Sequence, residues 1–191
     1  MVVLVSGTGS LLQALLDSDI RDHIVAVGSE IDTAPALDRA RKVGVATFVV
    51  PMIEDRAAWD RTLAKHLGEL GADLVVTAGF MRLLGPAVIS AYENRIINSH
   101  PALLPSFPGA HGVRDALNYG VKVTGCTVHL VDSGVDTGPI IAQQPVTVEV
   151  TDTVESLHER IKEIERVLLV DVVSRAVREG LSVSGRSVAF G

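Results

Sequence analysis

Asn98 and His100 stand two residues apart at the end of the run "RIINSH", directly before Pro101. Side chains alternate across a strand, so positions i and i+2 share a face. Proline cannot carry a strand ladder further. An amide and an imidazole therefore sit side by side at the C-terminal lip of a strand, the edge where open α/β sheets hold ligands. Such a pair can donate to an oxyanion and move a proton. A strand-end histidine satisfied by backbone groups accounts for the spacing equally well.

A second polar group lies in "DSGVDTGP", residues 132–139. An aspartate in a Gly-rich turn commonly caps backbone N–H groups, whereas a carboxylate facing a histidine makes an acid/base pair. Spacing alone leaves open whether Asp136 meets His100. A Ca²⁺ loop would need the EF-hand placement of Gly and Glu, which is missing. "SGTGS", residues 6–10, offers glycines that let a phosphate approach the backbone and a helix start with free N–H groups. Leu12 occupies the third glycine position of G-x-G-x-x-G, so a mononucleotide-like phosphate fits better than NAD, and a tight turn remains the plainer reading. Arg82 in "GFMRLLGP" is either at the ligand edge or a solvated helix start.

Of the other histidines, His129 alternates with Thr127 and Val131 and reads as core or as support behind the site. His111 is open to either reading, and His23, His66 and His158 look like surface residues. The sequence holds no His-Glu-x-x-His or Cys/His cluster, so no metal is expected. Without G-x-S-x-G, a serine hydrolase is disfavoured.

The elements that must position these residues alternate. "MVVLV", "HIVAVGS", "ATFVV" and "ADLVVTAG" read as buried strands. Between them "LLQALLDS", "APALDRARKVG" and "DRAAWDRTLAKHLGELG" read as helices, the last two ending at Gly44 and Gly71. This order predicts a parallel sheet with right-handed crossovers, to which "RIINSH" adds a strand. "KVTGCTVHLVD" and "PIIAQQPVTVEV" follow with no helix between them and predict an antiparallel portion. A long helix then starts at an Asp152/Glu155 capping box, carries the stripe Leu157, Ile161, Ile164 and Leu168, and stops at Gly180; "RSVAF" closes the chain as a strand.

The chain has 191 residues, enough for one domain with a core. Its net charge of −6 argues against a nucleic-acid partner, since phosphate backbones attract basic surfaces. No apolar run reaches the roughly 18 residues of a membrane span, and the start reads as a strand, not a signal peptide. The one cysteine, Cys126, allows no internal disulfide and sits in a buried strand pattern, so a cytoplasmic location is expected.

The blocks "VLVSGTGSLLQALL", "AGFMRLLGP", "INSHPALLPSFPGAHGVRDAL" and "GCTVHLVDSGVDTGPIIAQ" resemble, in order and over nearly the whole chain, the phosphoribosylglycinamide formyltransferases of the formyltransferase superfamily. The resemblance implies transfer of a formyl group from 10-formyltetrahydrofolate, as co-substrate, to glycinamide ribonucleotide in purine synthesis. It implies catalytic roles for Asn98, His100 and Asp136, with a protonated His100. It assigns Gly9, Ser10 and Leu11 to the phosphate, and Lys162 and Glu165 to the glycinamide end. It assigns Arg56, Met81, Arg82, Leu83, Leu84, Asn98, Asp132, Ser133, Gly134, Val135 and Asp136 to folate. Small-molecule substrates, no metal, no nucleic acid and no membrane are its partner profile, and a homodimer is within the family's range.

The implied fold class is α/β. It is a Rossmann-like, mostly parallel twisted sheet with helices on both faces and an antiparallel C-terminal portion. One domain over 1–191 would comprise a phosphate-binding half, about 1–97, and a catalytic and folate-binding half, about 98–191. Thr8 and Leu11 depart from the asparagines of the usual G-N-G-S-N loop, so phosphate binding there would use backbone N–H groups. Ser106 stands where a lysine is frequent.

Rival readings stay within reach of these motifs. Methionyl-tRNA formyltransferase should add a C-terminal domain and a basic face, and 10-formyltetrahydrofolate hydrolase an N-terminal regulatory domain. A sugar-nucleotide formyltransferase is a weaker rival, and a non-catalytic phosphate-ligand sensor would leave the trio Asn98, His100 and Asp136 without a role.

Overall fold

A computed structural model describes all of residues 1–191. The elements run β1 (Val2–Val5), α1 (Ser10–Leu16), a 3₁₀ turn (Arg21–His23), β2 (Ala26–Ser29), α2 (Pro35–Lys42), β3 (Ala46–Val49), α3 (Arg56–Glu69) and β4 (Val75–Thr77). They continue with α4 (Pro86–Ala91), β5 (Ile96–His100), α5 (Gly112–Tyr119), β6 (Val123–Leu130), β7 (Ile140–Thr147), α6 (Val154–Glu179), β8 (Leu181–Ser184) and β9 (Ser187–Phe190). Seven strands form a mostly parallel sheet in the order β3-β2-β1-β4-β5-β6-β7, and β8 and β9 form a separate hairpin. The chain divides into two compact units, Met1–Ile97 and Asn98–Gly191.

In the first unit β1 is the axis. It pairs in parallel with β2, Val2 opposite Ala26, and with β4, Val2 opposite Val75. Every residue of β1 is buried, which explains its unbroken apolar run: a strand covered on both faces has no polar alternation. Leu12, Leu15 and Leu16 of α1, Leu37 of α2 and Trp59, Leu63 and Leu67 of α3 bury their side chains. The Trp59 indole N–H donates to the Val50 carbonyl at 3.0 Å, so its polar edge is satisfied. The short α4 starts at Gly85, which has no side chain to cap it. Asp60 of α3 does so instead, accepting from the Gly85 and Ala87 N–H groups, each at 2.7 Å.

In the second unit β6 and β7 are antiparallel, with a bulge where Val128 pairs with Ala142 and His129 with Ile140, leaving Ile141 unopposed. Pro145 is tolerated because β7 is the last strand of the sheet. Along α6 the buried face is Leu157, Ile161, Glu165, Leu169, Val172 and Val173, so the expected stripe is displaced: Ile164 and Leu168 are only partly buried against the cluster containing Val113 and Cys126. Cys126 is buried, and burial pushes its thiol up to about 12, which leaves it inert as a nucleophile.

The helix start is also corrected. Thr153 is the cap: its hydroxyl accepts from the Ser156 N–H at 3.2 Å, and the Ser156 hydroxyl accepts from the Thr153 N–H at 3.0 Å. Asp152 is already engaged by the Glu149 N–H at 2.7 Å and the Ser156 hydroxyl at 2.8 Å. Gly180, with φ 83°, ends α6 as expected. The closing strand does not stand alone, because β8 pairs with β9 as a hairpin. Elsewhere, His23 is exposed, and His66 and His158 are partly exposed; the His66 ring lies against the Phe48 ring at a centroid distance of 4.6 Å. No helix is long and apolar enough to cross a membrane.

Candidate active site

The second unit gathers polar groups around the end of β5. Asn98 and His100 share a strand face, as the i, i+2 spacing requires. The His100 ring, buried to 5% exposure, lies with Nδ1 3.3 Å from Asp136 Oδ2 and Nε2 2.8 Å from the Phe107 carbonyl. The Asn98 amide nitrogen is 3.1 Å from His129 Nε2, and His129 Nε2 is 3.6 Å from Asp136 Oδ1. The other His129 nitrogen, Nδ1, faces the Leu130 carbonyl at 2.8 Å. That carbonyl can only accept, so Nδ1 carries the proton and Nε2 is left to accept from Asn98. The β-bulge falls between Val128 and His129, where a local change of strand direction re-aims the imidazole.

Asp136 reaches this cluster from the turn 132–138. Its φ of 55° is left-handed, as is the φ of 55° at Phe107, whose carbonyl faces His100. Two non-glycine residues in that region therefore frame one imidazole; aspartate accepts this geometry more readily than most residues. The Gly109 N–H donates to Asp136 Oδ2 at 2.7 Å. The two aspartates of the turn divide their roles. Asp132 accepts from the Gly134 N–H at 3.0 Å and the Thr137 hydroxyl at 2.6 Å, which is a turn-stabilising arrangement. Ser133, Gly134 and Val135 are exposed at its tip. From the β8–β9 turn, Arg186 donates to the Thr137 and Gly138 carbonyls at 3.0 and 3.3 Å.

Burial lowers the His100 pKa below the usual histidine value, and His129 adds to this; the Asp136 carboxylate and the Phe107 carbonyl oppose it without reversing it. Burial thus works against the expectation that Asp136 keeps His100 charged, although both ring nitrogens face acceptors. Burial would raise the Asp136 carboxyl, but the His129 contact, the Gly109 N–H and the two imidazoles outweigh it and hold it at about 2.

Ser99, between Asn98 and His100, faces the other way by alternation, and its hydroxyl donates to Glu165 Oε1 at 2.6 Å. Burial raises the Glu165 pKa, while Ser99, Lys162 and Arg166 pull it down. Lys162 pairs with Glu159 at 2.7 Å rather than with Glu165. The loop 101–111, which carries Pro101, Pro105 and Pro108, is fixed by polar side chains of β6 and β7. The Leu104 N–H donates to Thr127 Oγ1 at 3.0 Å, Thr127 Oγ1 donates to the Ala102 carbonyl at 2.7 Å, and Gln143 donates to the Leu104 carbonyl at 2.8 Å. Leu104 is buried and pins the loop; Ser106 is exposed.

In the first unit, Gly9 (φ 76°) caps α1 without a side chain, and a Cβ there would meet Ala36 Cβ at 2.6 Å. Ser10 is half-buried and Leu11 buried. Arg56 donates to the Leu83 carbonyl at 2.8 Å and stacks over Trp59 at 4.8 Å. The Arg82 guanidinium lies 3.0 Å from Glu30 and is not a solvated helix start. Met81 and Leu83 are 74% and 63% exposed, and Leu84 is half-buried. No group of three or more His, Cys, Asp or Glu is placed to hold a metal ion.

Comparison with known proteins adds independent information. A formyl transferase family model matches residues 1–173. The phosphoribosylglycinamide formyltransferase of Mycobacterium tuberculosis is 52% identical over 196 residues, covering 100% of this chain and 91% of the relative. The chain belongs to the phosphoribosylglycinamide formyltransferase family. The Escherichia coli member is 39% identical over 180 residues, covering 91% of this chain and 85% of its own. The crystal structure of glycinamide ribonucleotide transformylase 1 from Symbiobacterium toebii superposes with a TM-score of 0.94 at 42% identity, covering 99% of this chain and 92% of that one. The protein is therefore an enzyme, a formyltransferase.

Sequence reasoning within this family overlooked several supports: Ser99, the Phe107 carbonyl, the Gly109 N–H, Gly112, and in the first unit Ser6, Glu30 and Asp60. Only Ser99 carried a usable signal, as a polar residue on the opposite face of a buried strand.

Proposed function

We propose that this formyltransferase moves the formyl group of 10-formyltetrahydrofolate to the amine of glycinamide ribonucleotide, with Asn98, His100 and Asp136 as catalytic residues. Family membership supports the reaction. The observation that carries the residue assignment is the meeting of Asn98, His100 and Asp136 around one strand end, within 3.3 Å for the His100–Asp136 contact.

The amine nitrogen attacks the formyl carbon, and the carbonyl oxygen becomes an oxyanion. The Asn98 amide N–H and a His100 N–H are the donors for it. The attacking amine loses one proton to His100, whose proton affinity rises as the negative charge develops. The ionised Asp136 stabilises the imidazolium so formed. The intermediate collapses with cleavage of the bond to N10, which takes one proton, so the proton count closes. Neither step needs a covalent enzyme intermediate. On the family pattern, Gly9, Ser10 and Leu11 take the acceptor's phosphate through backbone N–H groups, Lys162 and Glu165 its glycinamide end. Arg56, Met81–Leu84 and Asp132–Asp136 serve the donor.

Incubating the purified protein with 10-formyltetrahydrofolate and following its absorbance tests this. Consumption only when glycinamide ribonucleotide is present is the expected result. Equal consumption without it would sink the transferase reading and favour a hydrolase.

A further inference from the structure

Ser6 and Glu30 of the first unit, the latter facing Arg82, take no part in the steps above. Parallel pairing of β1 and β2 sets Val5 opposite Ser29, so the next residues, Ser6 and Glu30, emerge side by side. The Glu30 side chain is 1% exposed. A carboxylate taken out of water is costly unless it is paired. Its partners are the Ser6 hydroxyl, 2.9 Å from both oxygens, and Arg82 Nε at 3.0 Å. A hydroxyl has one proton. Since Ser6 gives that proton to Glu30, its lone pairs are left to accept, and the Met81 N–H donates to it at 2.8 Å. Glu30 therefore fixes the direction of the hydroxyl that holds Met81, and its charge holds the next side chain, Arg82.

The rest of the segment is held in the same manner. Arg56 takes the Leu83 carbonyl, and Asp60 takes the Gly85 and Ala87 N–H groups. The main chain is fixed while the Met81 and Leu83 side chains stay exposed. Arg82, whose own side chain is half in solvent, is committed to Glu30 rather than free for a ligand.

We infer that Glu30 is a positioning residue that, through Ser6 and Arg82, sets the segment Met81–Leu84 for the formyl donor. The inference rests on the proposed donor role of that segment. Ser6 also opens the Gly loop, so the donor segment is tied to the strand end from which the phosphate loop springs.

Glu30→Gln keeps the shape and an oxygen acceptor but removes the charge. We expect the KM for 10-formyltetrahydrofolate to rise about tenfold, as for loss of one charge-assisted contact, with kcat and the KM for glycinamide ribonucleotide within about twofold of wild type. Ser6→Ala, which removes the hydroxyl that holds the Met81 N–H, should raise the donor KM in the same direction, and the double variant Glu30→Gln/Ser6→Ala should be no worse than the more damaging single change. Hydrogen exchange at the Met81 amide should accelerate in Glu30→Gln and in Ser6→Ala. A donor KM within about twofold of wild type in Glu30→Gln, or equal rises in both KM values, overturns the inference. Should Glu30→Gln fail to fold, Ser6→Ala, which breaks the same link to the Met81 N–H, gives the same reading. If wild type consumes no donor with glycinamide ribonucleotide, the functional reading fails, whereas unchanged Met81 exchange would separately remove the latch.

Discussion

In the first unit the buried carboxylates of Glu30 and Asp60 meet a hydroxyl, a guanidinium and main-chain N–H groups, and no imidazole. In the second, Asp136 meets two imidazoles and a single N–H. One unit uses negative charge to fix the course of a loop. The other places it where a proton can move. The contrast teaches that burial of a carboxylate does not mark chemistry; what faces it does. Asp60 is more hidden than Asp136, yet its two oxygens are both occupied by donors that hold their protons permanently.

Four measurements would break or sharpen that contrast. Asp136→Asn should lower kcat about 10³-fold, the range for a lost acid/base group. Near-normal turnover would place Asp136 with the structural carboxylates. Asp60→Ala should do the reverse. Two half-buried N–H groups lose their acceptor, so urea unfolding should show a loss of about 2 kcal/mol with kcat nearly intact. A stable Asp60→Ala protein with collapsed turnover would erase the distinction.

Gly112→Ala probes how closely the second unit is fitted. A Cβ there would stand 3.0 Å from both His100 Nε2 and the Phe107 carbonyl oxygen, prying apart the contact that aims the ring. A fall of about tenfold in kcat is expected, since small displacements of a positioned group are felt in the rate. The smallest effect is that of pH on stability. Because burial lowers the His100 pKa, the unfolded chain binds more protons than the folded one below about pH 6.5. Its contribution is present above that value and is lost as pH falls through the folded pKa. The slope of unfolding free energy between neutral and mildly acid pH should therefore flatten in His100→Gln.

Much of this was legible in the chain itself, unevenly. The parallel half is plain because strands buried on both faces write continuous apolar runs, as "MVVLV" does, and helices end at Gly44 and Gly71. The pairing of Asn98 with His100 follows from alternation alone. The meeting of Asp136 with His100 does not, since it depends on a left-handed backbone and a loop course that no local pattern encodes. The hairpin of β8 and β9 was half-seen because "LSVS" is too short and polar to register as a strand. Asp60 sits in a helix among charged neighbours, and nothing in "DRAAWDRT" distinguishes it from a solvated residue. The balance at His100 is hidden for a related reason: a neighbouring carboxylate can be inferred from a motif, but the depth of burial that opposes it cannot.

The left-handed φ of Asp136 also limits which residues fit that position. In that conformation most side chains crowd their own backbone, at roughly 1–2 kcal/mol, while Asp, Asn and Gly are accommodated with least penalty. Of those three only aspartate brings a charge. Aspartate thus joins this backbone shape to a negative charge beside two imidazoles, and a glutamate, equally charged, would add backbone strain.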